Sequence, residues 1–267
     1  MALKAEGVIH AACPSYAADP RRCPMPCDEN SPVAVLDRAS ILLEAFDEDE
    51  RLTLSDLSRR TGLPASSTHR MLGQLVRLTW LQREGHTYRL GRKIFELGSL
   101  ALHHDRLHSV AQPVLYQLHA TTGLVVHLAV PVCADVLYLD KVGGSFAVRL
   151  PTRAGGRLPA ASTAIGKTLM AELDPTAALT PPRSTPNTIV DPVRLRREYA
   201  DIRNRGIAHD RNETVLGVSC VGAAIIKGRS PIGAISVTGP TGTFDPMAVS
   251  VPVRLAVATI RNRLSGN

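Results

Sequence analysis

The second half of the chain carries side chains whose types and spacing suit the binding of a small molecule. The segment RLPAASTAIGK (157–167) predicts a loop that runs into a helix beginning near Thr163. The first amides of a helix lack partners and carry partial positive charge, so this helix start suits a small carboxylate. His209, Asp210 and Cys220 could instead form a Cys/His/Asp hydrolase. No nucleophile-elbow signature accompanies them, so we do not expect an enzyme.

A second set of chemically capable side chains lies in the first 30 residues. They are His10, Cys13, Cys23 and Cys27. Three thiolates and an imidazole can hold zinc or an iron–sulfur cluster, so a metal- or redox-sensing regulator is an alternative function. Their spacing, H-x2-C-x9-C-x3-C, matches no standard module. The favoured prediction is therefore that the protein uses no metal or cofactor, and that 1–30 is a disordered extension of a chain that starts at Met1 or Met25.

Positive charge is concentrated in one short segment. The chain holds 31 Lys and Arg against 24 Asp and Glu, a net charge of +7. Residues 51–93 alone hold nine cations and two acids, a net +7, whereas residues 31–50 carry −5. This asymmetry indicates an anionic partner, with nucleic acid the first candidate and a solvated basic face the alternative.

The pattern inside 31–91 favours nucleic acid. Apolar residues at helical spacing predict a first helix after Ser31. The segment TLSD (53–56) predicts a capping box that starts a short second helix, and Gly62 predicts its left-handed C-terminal end. A third helix begins after Leu63, with a buried stripe and a polar, basic outer face. Two helices joined by a tight glycine turn form a helix-turn-helix.

Two short strands around Gly85 follow and make this domain a winged helix-turn-helix. The third helix would lie in the major groove of double-stranded DNA, and the wing would contact phosphates. A small helical domain that docks to protein is the alternative. The predicted DNA-binding residues are Arg59, Arg60, Ser66, Ser67, His69, Arg70, Gln74, Arg77, Arg83, His86 and Arg89.

The rest of the chain divides into a linker and a second domain. Residues 92–120 keep helical spacing and predict one or two linker helices with an apolar face available to a partner subunit. Pro113 predicts a break or kink among them. Short strand-like runs and helical patterns alternate over 121–267, which predicts an α+β domain with an antiparallel sheet.

Several features bear on where the protein works. No stretch reaches the roughly 18–20 uninterrupted apolar residues of a membrane span. The N-terminal sequence lacks the apolar core of a secretory signal, and five cysteines is an odd number for a disulfide framework. We therefore expect a cytoplasmic protein that does not associate with membranes.

From Ser31 to about Leu264, the sequence resembles the IclR family of bacterial transcriptional regulators. Five blocks in family order and at family spacing carry the resemblance: TLSDLSRRTGLPASSTHRMLGQL (53–75), YRLGRKIFELG (88–98), RLPAASTAIGK (157–167), GIAHDRNETVLGVSCVGAAI (206–225) and ISVTGP (235–240). The resemblance implies an all-α winged helix-turn-helix with a small β wing over 31–91, a linker helix, and a GAF-like α+β effector domain with an antiparallel sheet. It also implies a homodimer or homotetramer that binds a palindromic operator and regulates catabolic genes, as repressor or activator, in response to a small molecule.

The resemblance further implies which residues line the effector pocket. Matched position by position, they are Thr163, Ala164, Asp210, Cys220, Ser236 and Thr238. Cys220 lies in an apolar strand context, so a small buried residue is the alternative to a pocket thiol. Ala160 and Ala161 stand where the common family form has Leu and His, which implies a roomier or less polar site.

Overall fold

The computed structural model describes residues 35–46, 50–173 and 181–266. These residues form two compact units that divide between His104 and Asp105. The N-terminal extension, with its four possible metal ligands and its candidate start methionines, lies outside the described residues, as does the predicted cap at Ser31. Within the described ranges, no helix is both long enough and apolar enough to cross a membrane.

The first unit has the element order of a winged helix-turn-helix. Its elements are α1 (Val35–Glu44), β1 (Leu52–Thr53), α2 (Leu54–Thr61), α3 (Ala65–Arg77), β2 (Leu81–Glu84), β3 (Thr87–Leu90) and α4 (Arg92–His104). The strands form an antiparallel sheet in the order β1-β3-β2. Strands β2 and β3 are the two sides of the wing and turn at Gly85, whose φ of 61° favours glycine.

Helix α2 begins and ends where the sequence predicts. The Thr53 hydroxyl accepts a hydrogen bond from the Asp56 N–H (3.2 Å), and the Thr53 N–H donates to the Asp56 carboxylate (3.1 Å). These hydrogen bonds complete the capping box. The Thr53 hydroxyl also donates to the Asp56 carboxylate (2.7 Å), and this bond, followed by the one from the Thr53 N–H, lowers the pKa of the Asp56 carboxyl. At the other end Gly62 has a φ of 70° and donates its N–H to the Ser58 carbonyl (3.0 Å). Both predictions are confirmed.

One apolar core joins the first three helices of the first unit to its wing. Leu42 of α1, Leu57 of α2 and Leu72 of α3 are fully buried in it. Leu81 of β2 and Tyr88 of β3 attach the wing to the same core. The buried stripe of α3 therefore faces the core, and its polar face is left toward solvent.

The second unit is an α+β structure built on one antiparallel sheet. Its elements are α5 (Arg106–Thr122), β4 (Val125–Val132), β5 (Asp135–Val142), α6 (Ser145–Val148), β6 (Arg157–Pro159), α7 (Ala164–Leu173), α8 (Pro192–Arg205), β7 (Ala208–Arg211), β8 (Val218–Lys227), β9 (Ser230–Pro240) and α9 (Pro246–Ser265). The strand order is β6-β5-β4-β9-β8-β7. The predicted fold class is confirmed, although the short edge strands β6 and β7 were not predicted.

The two faces of this sheet differ in the size of their side chains. Successive residues of a strand point to opposite faces. One face carries large aliphatic residues such as Val221 and Ile235, and it packs against α5 and α9. The other face carries Ala208, Gly222 and Ala234, and it packs against α7. The small residues leave room on that face for both a helix and a cavity.

The predicted linker contains two helices that belong to different units. Helix α4 lies in the first unit and has no buried residue among those the structure describes. Helix α5 packs into the core of the second unit through Ala111 and Leu115. The helices are interrupted at Asp105, whose carboxylate caps α5 by accepting the His108 N–H (2.7 Å). Pro113 does not interrupt the linker, because it lies inside α5.

We predict that Thr53→Ala destabilises the first unit by about 1 kcal/mol, because the first amides of α2 lose their cap. Ser55 is exposed on the same helix and takes no part in the capping box, so Ser55→Ala is the matched control. Its effect on the free energy of unfolding should stay within about 0.5 kcal/mol. Urea unfolding followed by the fluorescence of Trp80, the single tryptophan, measures both. Equal effects of the two substitutions would contradict the role of the box.

Candidate functional site

Neighbouring strands of the second unit place polar side chains in a cross-strand row. Asp210 of β7 pairs with Cys220 of β8, and Cys220 pairs with Thr238 of β9. The Thr238 hydroxyl donates to the Cys220 sulfur at 3.2 Å. Two residues along β9, Ser236 pairs with His127 of β4. All five side chains share the face of the sheet that carries small residues, because side chains alternate along each strand.

The start of α7 lies against this face. The Thr163 hydroxyl accepts the Gly166 N–H (3.0 Å), and the Thr163 carbonyl accepts the Lys167 N–H (2.8 Å). The amides of Ala164 and Ile165 precede these donors and have no partner inside the helix. They carry the partial positive charge of the helix N-terminus that the sequence predicts here.

Glycine permits α7 to approach the sheet closely. A Cβ added to Gly222 would lie 2.9 Å from the backbone of Ala164. A Cβ added to Gly166 would lie 2.3 Å from the carbonyl oxygen of Ala160. Ala160 and Ala161 are buried in the core and do not line the cavity described next. Their side chains pack beside α7, and the expectation that they make the site roomier or less polar stays a prediction.

These elements surround a small cavity. The structure brings together along it all six residues proposed as effector contacts: Thr163, Ala164, Asp210, Cys220, Ser236 and Thr238. Sequence analysis missed its apolar lining, which includes Leu150, Pro151, Leu158, Ile165, Val215 and Val218. The cavity therefore combines a few converging polar groups with a largely apolar wall.

His127 and Tyr138 form a part of the wall that sequence analysis also missed. Both are buried, and their rings make an edge contact with centroids 5.3 Å apart. His127 Nε2 lies 2.9 Å from Thr152 Oγ1. Burial, and then the charge of Lys141, lower the pKa of His127 to about 3, so the imidazole is neutral at neutral pH. The Lys141 ammonium also donates to the carbonyls of Leu150 and Thr152 and so holds that segment at the cavity.

The Asp210 carboxyl is buried and has a hydrogen-bond partner at each oxygen. Its Oδ1 accepts the Glu213 N–H (2.7 Å), and its Oδ2 lies 2.9 Å from the Thr214 hydroxyl. The same hydroxyl lies 2.8 Å from the Ser162 carbonyl oxygen, but a hydroxyl has only one hydrogen to donate. The Thr214 hydroxyl therefore donates either to Asp210 or to the Ser162 carbonyl. Burial raises the pKa of Asp210, although the hydrogen bonds from Glu213 and Thr214 and the charge of Lys167 oppose that shift.

Cys220, His209 and Asp210 do not form a catalytic triad. His209 and Asp210 are adjacent on β7, so their side chains point to opposite faces. His209 Nδ1 has no hydrogen-bond partner among the residues that the structure describes. Burial raises the pKa of the Cys220 thiol, which disfavours the thiolate that a nucleophile requires.

A buried ion pair connects α7 to the turn that presents Asp210. Lys167 is completely buried, and its ammonium donates to Glu213 Oε1 at 2.6 Å. The Glu213 N–H in turn donates to the Asp210 carboxyl. Burial raises the pKa of Glu213, and the charge of Lys167 opposes that shift. Sequence analysis assigned no role to Lys167, because residue spacing does not reveal that a lysine is buried against a distant carboxylate.

In the first unit, the outer face of α3 presents the predicted polar and basic side chains. Those exposed are Ser66, His69, Arg70, Gln74 and Arg77, whereas Ser67 is half-buried. Arg70 and Arg77 form no hydrogen bond or ion pair within the described part of the chain. Their charges are therefore available to an anionic partner.

The predicted cations of the wing are held by contacts within the wing. Arg83 Nε donates to the Gly85 carbonyl (2.9 Å), and its guanidinium lies 5.9 Å from the centre of the Tyr88 ring. His86 is exposed in the turn. Arg89 Nε lies 2.9 Å from Glu84, so part of its charge is neutralised.

Three further cations border this surface. Arg51, which sequence analysis missed, lies 2.9 Å from Glu84. Arg59 of α2 pairs with Asp56 at 2.9 Å and remains 77% exposed. Arg60 donates to the carbonyl of Ala45 at 3.2 Å. The structure thus places the predicted DNA-binding residues on α2, α3 and the wing of one unit.

No group of three or more His, Cys, Asp or Glu side chains is arranged to hold a metal ion in the ranges that the structure covers. His10, Cys13, Cys23 and Cys27 lie outside those ranges. The metal alternative therefore has no support from the described residues.

Two family models match the chain. The model described as the bacterial transcriptional regulator IclR C-terminal domain matches residues 99–256. The model described as the IclR helix-turn-helix domain matches residues 35–85. The two matches cover α3 with the first strand of the wing, and the cavity of the second unit.

Individual proteins match over most of their length. The transcriptional repressor IclR of Escherichia coli K12 is 31% identical over 220 residues, which cover 78% of this chain and 80% of the relative. The acetate operon repressor of Salmonella typhimurium is 30% identical with the same coverage. A solved IclR homologue from Microbacterium hydrocarbonoxydans, complexed with 4-hydroxybenzoate, is 28% identical. It covers 88% of this chain and 100% of its own, with a TM-score of 0.79. The families and relatives are transcriptional regulators and not enzymes.

We predict that Lys167→Met destabilises the second unit by about 3–5 kcal/mol, because Glu213 is left buried without its partner. The double variant Lys167→Met/Glu213→Leu should recover most of that loss, since it removes both charges. Lys227 is exposed, so Lys227→Met is the control for loss of a lysine. Thermal unfolding followed by circular dichroism measures all three. A double variant as unstable as Lys167→Met would show that the ion pair is not the cause.

Proposed function

Because the chain belongs to the IclR family of bacterial transcriptional regulators, we propose that it binds a palindromic operator and responds to a small, largely apolar carboxylate. The observation that carries the proposal is the cavity, where the start of α7 and the row of polar residues on β7, β8 and β9 converge. The effector contacts would be the six residues that the sequence analysis assigned to the pocket, joined by His127, Tyr138 and Thr214.

The polarity of the cavity supports a carboxylate with an apolar body. The amides of Ala164 and Ile165 provide partial positive charge for an anion. His127 is neutral, and burial raises the pKa of Asp210, which disfavours a negative charge beside the ligand. The apolar wall would bury the rest of the ligand. The homologue solved with 4-hydroxybenzoate shows that an aromatic carboxylate is a reasonable first probe.

The outer face of α3 is the proposed DNA-reading surface. An α-helix fits the major groove, and arginine can bind guanine with two hydrogen bonds or contact a phosphate. Arg70 and Arg77 are exposed on this face. Arg59, Arg60, Arg83, His86 and Arg89 would position the domain through phosphate contacts. Since chromosomal operators are in the cytoplasm of bacteria, the protein would act there.

An apolar helix surface supports a homodimer or homotetramer. Helix α4 has Phe95 at 77% exposure and Leu100 at 53%. Exposed apolar patches of this kind indicate protein–protein contacts. A two-fold symmetric assembly would match a palindromic operator, because each subunit reads one half-site.

We propose the same division of the chain that the sequence predicts. It comprises a DNA-binding domain over 31–91, a linker region over 92–120, an effector domain over 121–267 and an N-terminal extension over 1–30. Effector binding in the cavity would change the affinity of the oligomer for its operator, a coupling typically worth about 1–3 kcal/mol. Whether the protein represses or activates its target genes would depend on where the operator lies relative to the promoter.

We predict that Arg70→Ala lowers the affinity for a selected operator at least about tenfold, because one contact to a base edge is lost in each half-site. The arginine is exposed, so the variant should unfold at the same temperature as the wild type. Arg196→Ala removes an exposed arginine from α8 and is the matched control. Electrophoretic mobility shifts at physiological salt measure the affinities. Unchanged affinity of the Arg70 variant would refute the assignment of α3.

We predict that carboxylate binding weakens as pH rises through the raised pKa of Asp210, because an ionised Asp210 would repel the ligand. Asp210→Asn should bind the carboxylate without this pH dependence, because an amide is neutral and can still donate. Asp210→Ala should bind the operator like the wild type but lose the response to the ligand. Calorimetric titration with 4-hydroxybenzoate and small aliphatic carboxylates, at several pH values, measures the first two. An Asp210→Ala protein that the ligand still regulates would exclude this pocket.

A further inference from the structure

A glycine in the middle of α3 has no structural explanation within the described protein. Gly73 lies between Ala65 and Arg77, the ends of the helix. Its backbone is helical, and it is absent from the residues with positive φ. A Cβ added there would meet no atom within 4 Å. Glycine is the poorest helix former after proline, so Gly73 lowers the stability of α3. Neither backbone strain nor a steric clash requires glycine at this position.

Gly166 shows what a glycine required by packing looks like in the same chain. A Cβ there would lie 2.3 Å from the Ala160 carbonyl oxygen, so the helix can approach its neighbour only because the side chain is missing. The open space at Gly73 therefore indicates a neighbour that is not part of this chain.

The position of Gly73 on α3 identifies that neighbour. Residues three and four apart share one face of a helix. Arg70 lies one turn before Gly73 and Arg77 one turn after it, and all three are exposed. Ser66 extends the same row by a further turn toward the start of the helix. Gly73 thus leaves a position without a side chain between two arginines, at the centre of the polar face.

We propose that Gly73 is the point of closest approach between α3 and DNA, where the edge of a base pair lies directly against the helix backbone. This inference rests on the proposed function of α3 as the DNA-reading helix. Arg70 and Arg77 would reach past the gap to bases or phosphates on either side. A side chain at 73 would hold the helix away from the groove floor, so the glycine would set both the depth of insertion and the base pair accepted there.

The test uses the full-length protein and DNA selected by the protein itself. Wild-type protein selects a duplex from a randomised library of about 40 base pairs, enough for two half-sites one or two helical turns apart. Affinities for that selected duplex and for a random duplex of equal length are then measured for the wild type, Gly73→Ala and Gly73→Ser. Thermal unfolding of each protein is measured in parallel. The selection from the randomised library is then repeated with the Gly73→Ala protein.

We expect Gly73→Ala to raise the unfolding temperature by about 2–4 °C, because alanine favours the helix. Its affinity for the selected duplex should fall about tenfold or more, a loss comparable to one mismatched base pair per site. Its affinity for the random duplex should stay within about twofold, because the phosphate contacts remain. Gly73→Ser should lose affinity for the selected duplex similarly, with a smaller gain in unfolding temperature. The motif selected by Gly73→Ala should differ from the wild-type motif at one position of each half-site.

Two results would overturn the inference. One is a Gly73→Ala protein that binds the selected duplex as tightly as the wild type. The other is an equal loss of affinity for both duplexes, which would mean that no particular base pair lies at this position. Failure of the proposed function is a separate result, because wild-type protein would then enrich no sequence from the library.

Discussion

The close contact between the first turn of α7 and the sheet is the constraint on which the candidate effector site depends. At Gly222 the two backbones are so close that no side chain fits between them. The contact places the free amides at the start of α7 beside Asp210, Cys220 and Thr238. It is possible because small residues cover this face of the sheet, whereas large aliphatic residues cover the face that packs on α5 and α9. One sheet thus has a packing face and a candidate binding face.

Burial then determines the charge of the cavity. An isolated charge in an apolar interior is costly, so such groups are neutral or paired. Burial shifts the pKa of both His127 and Asp210 in the direction that favours the neutral form, which is the first of these outcomes. Lys167 and Glu213 take the second. The result is a site whose main electrostatic feature is the N-terminus of a helix, which suits an anion.

The first unit is arranged differently, because its candidate site is a surface. Its stability comes from the buried face of α3 and from local devices such as the capping box at Thr53. The outer face is left to solvent, and its arginines have few partners within the unit. Gly73 lowers the stability of α3, since glycine inside a helix is about 0.5–1 kcal/mol less favourable than alanine. The residues of such a DNA-binding surface thus suit contact with the partner at the expense of the stability of the free protein.

Sequence alone determined the features that depend on neighbours a few residues away. Hydrogen bonds between residues three or four apart determine the ends of α2, so the motifs at Thr53 and Gly62 were sufficient to predict them. Likewise, family motifs identified the side chains that converge on the cavity. Tertiary structure alone decided the roles of His127, Tyr138 and Lys167, and the pairing of the short strands β6 and β7. The physical reason is distance along the chain. Burial and strand pairing depend on residues that are far apart in sequence, and the spacing of neighbouring residues does not indicate those contacts.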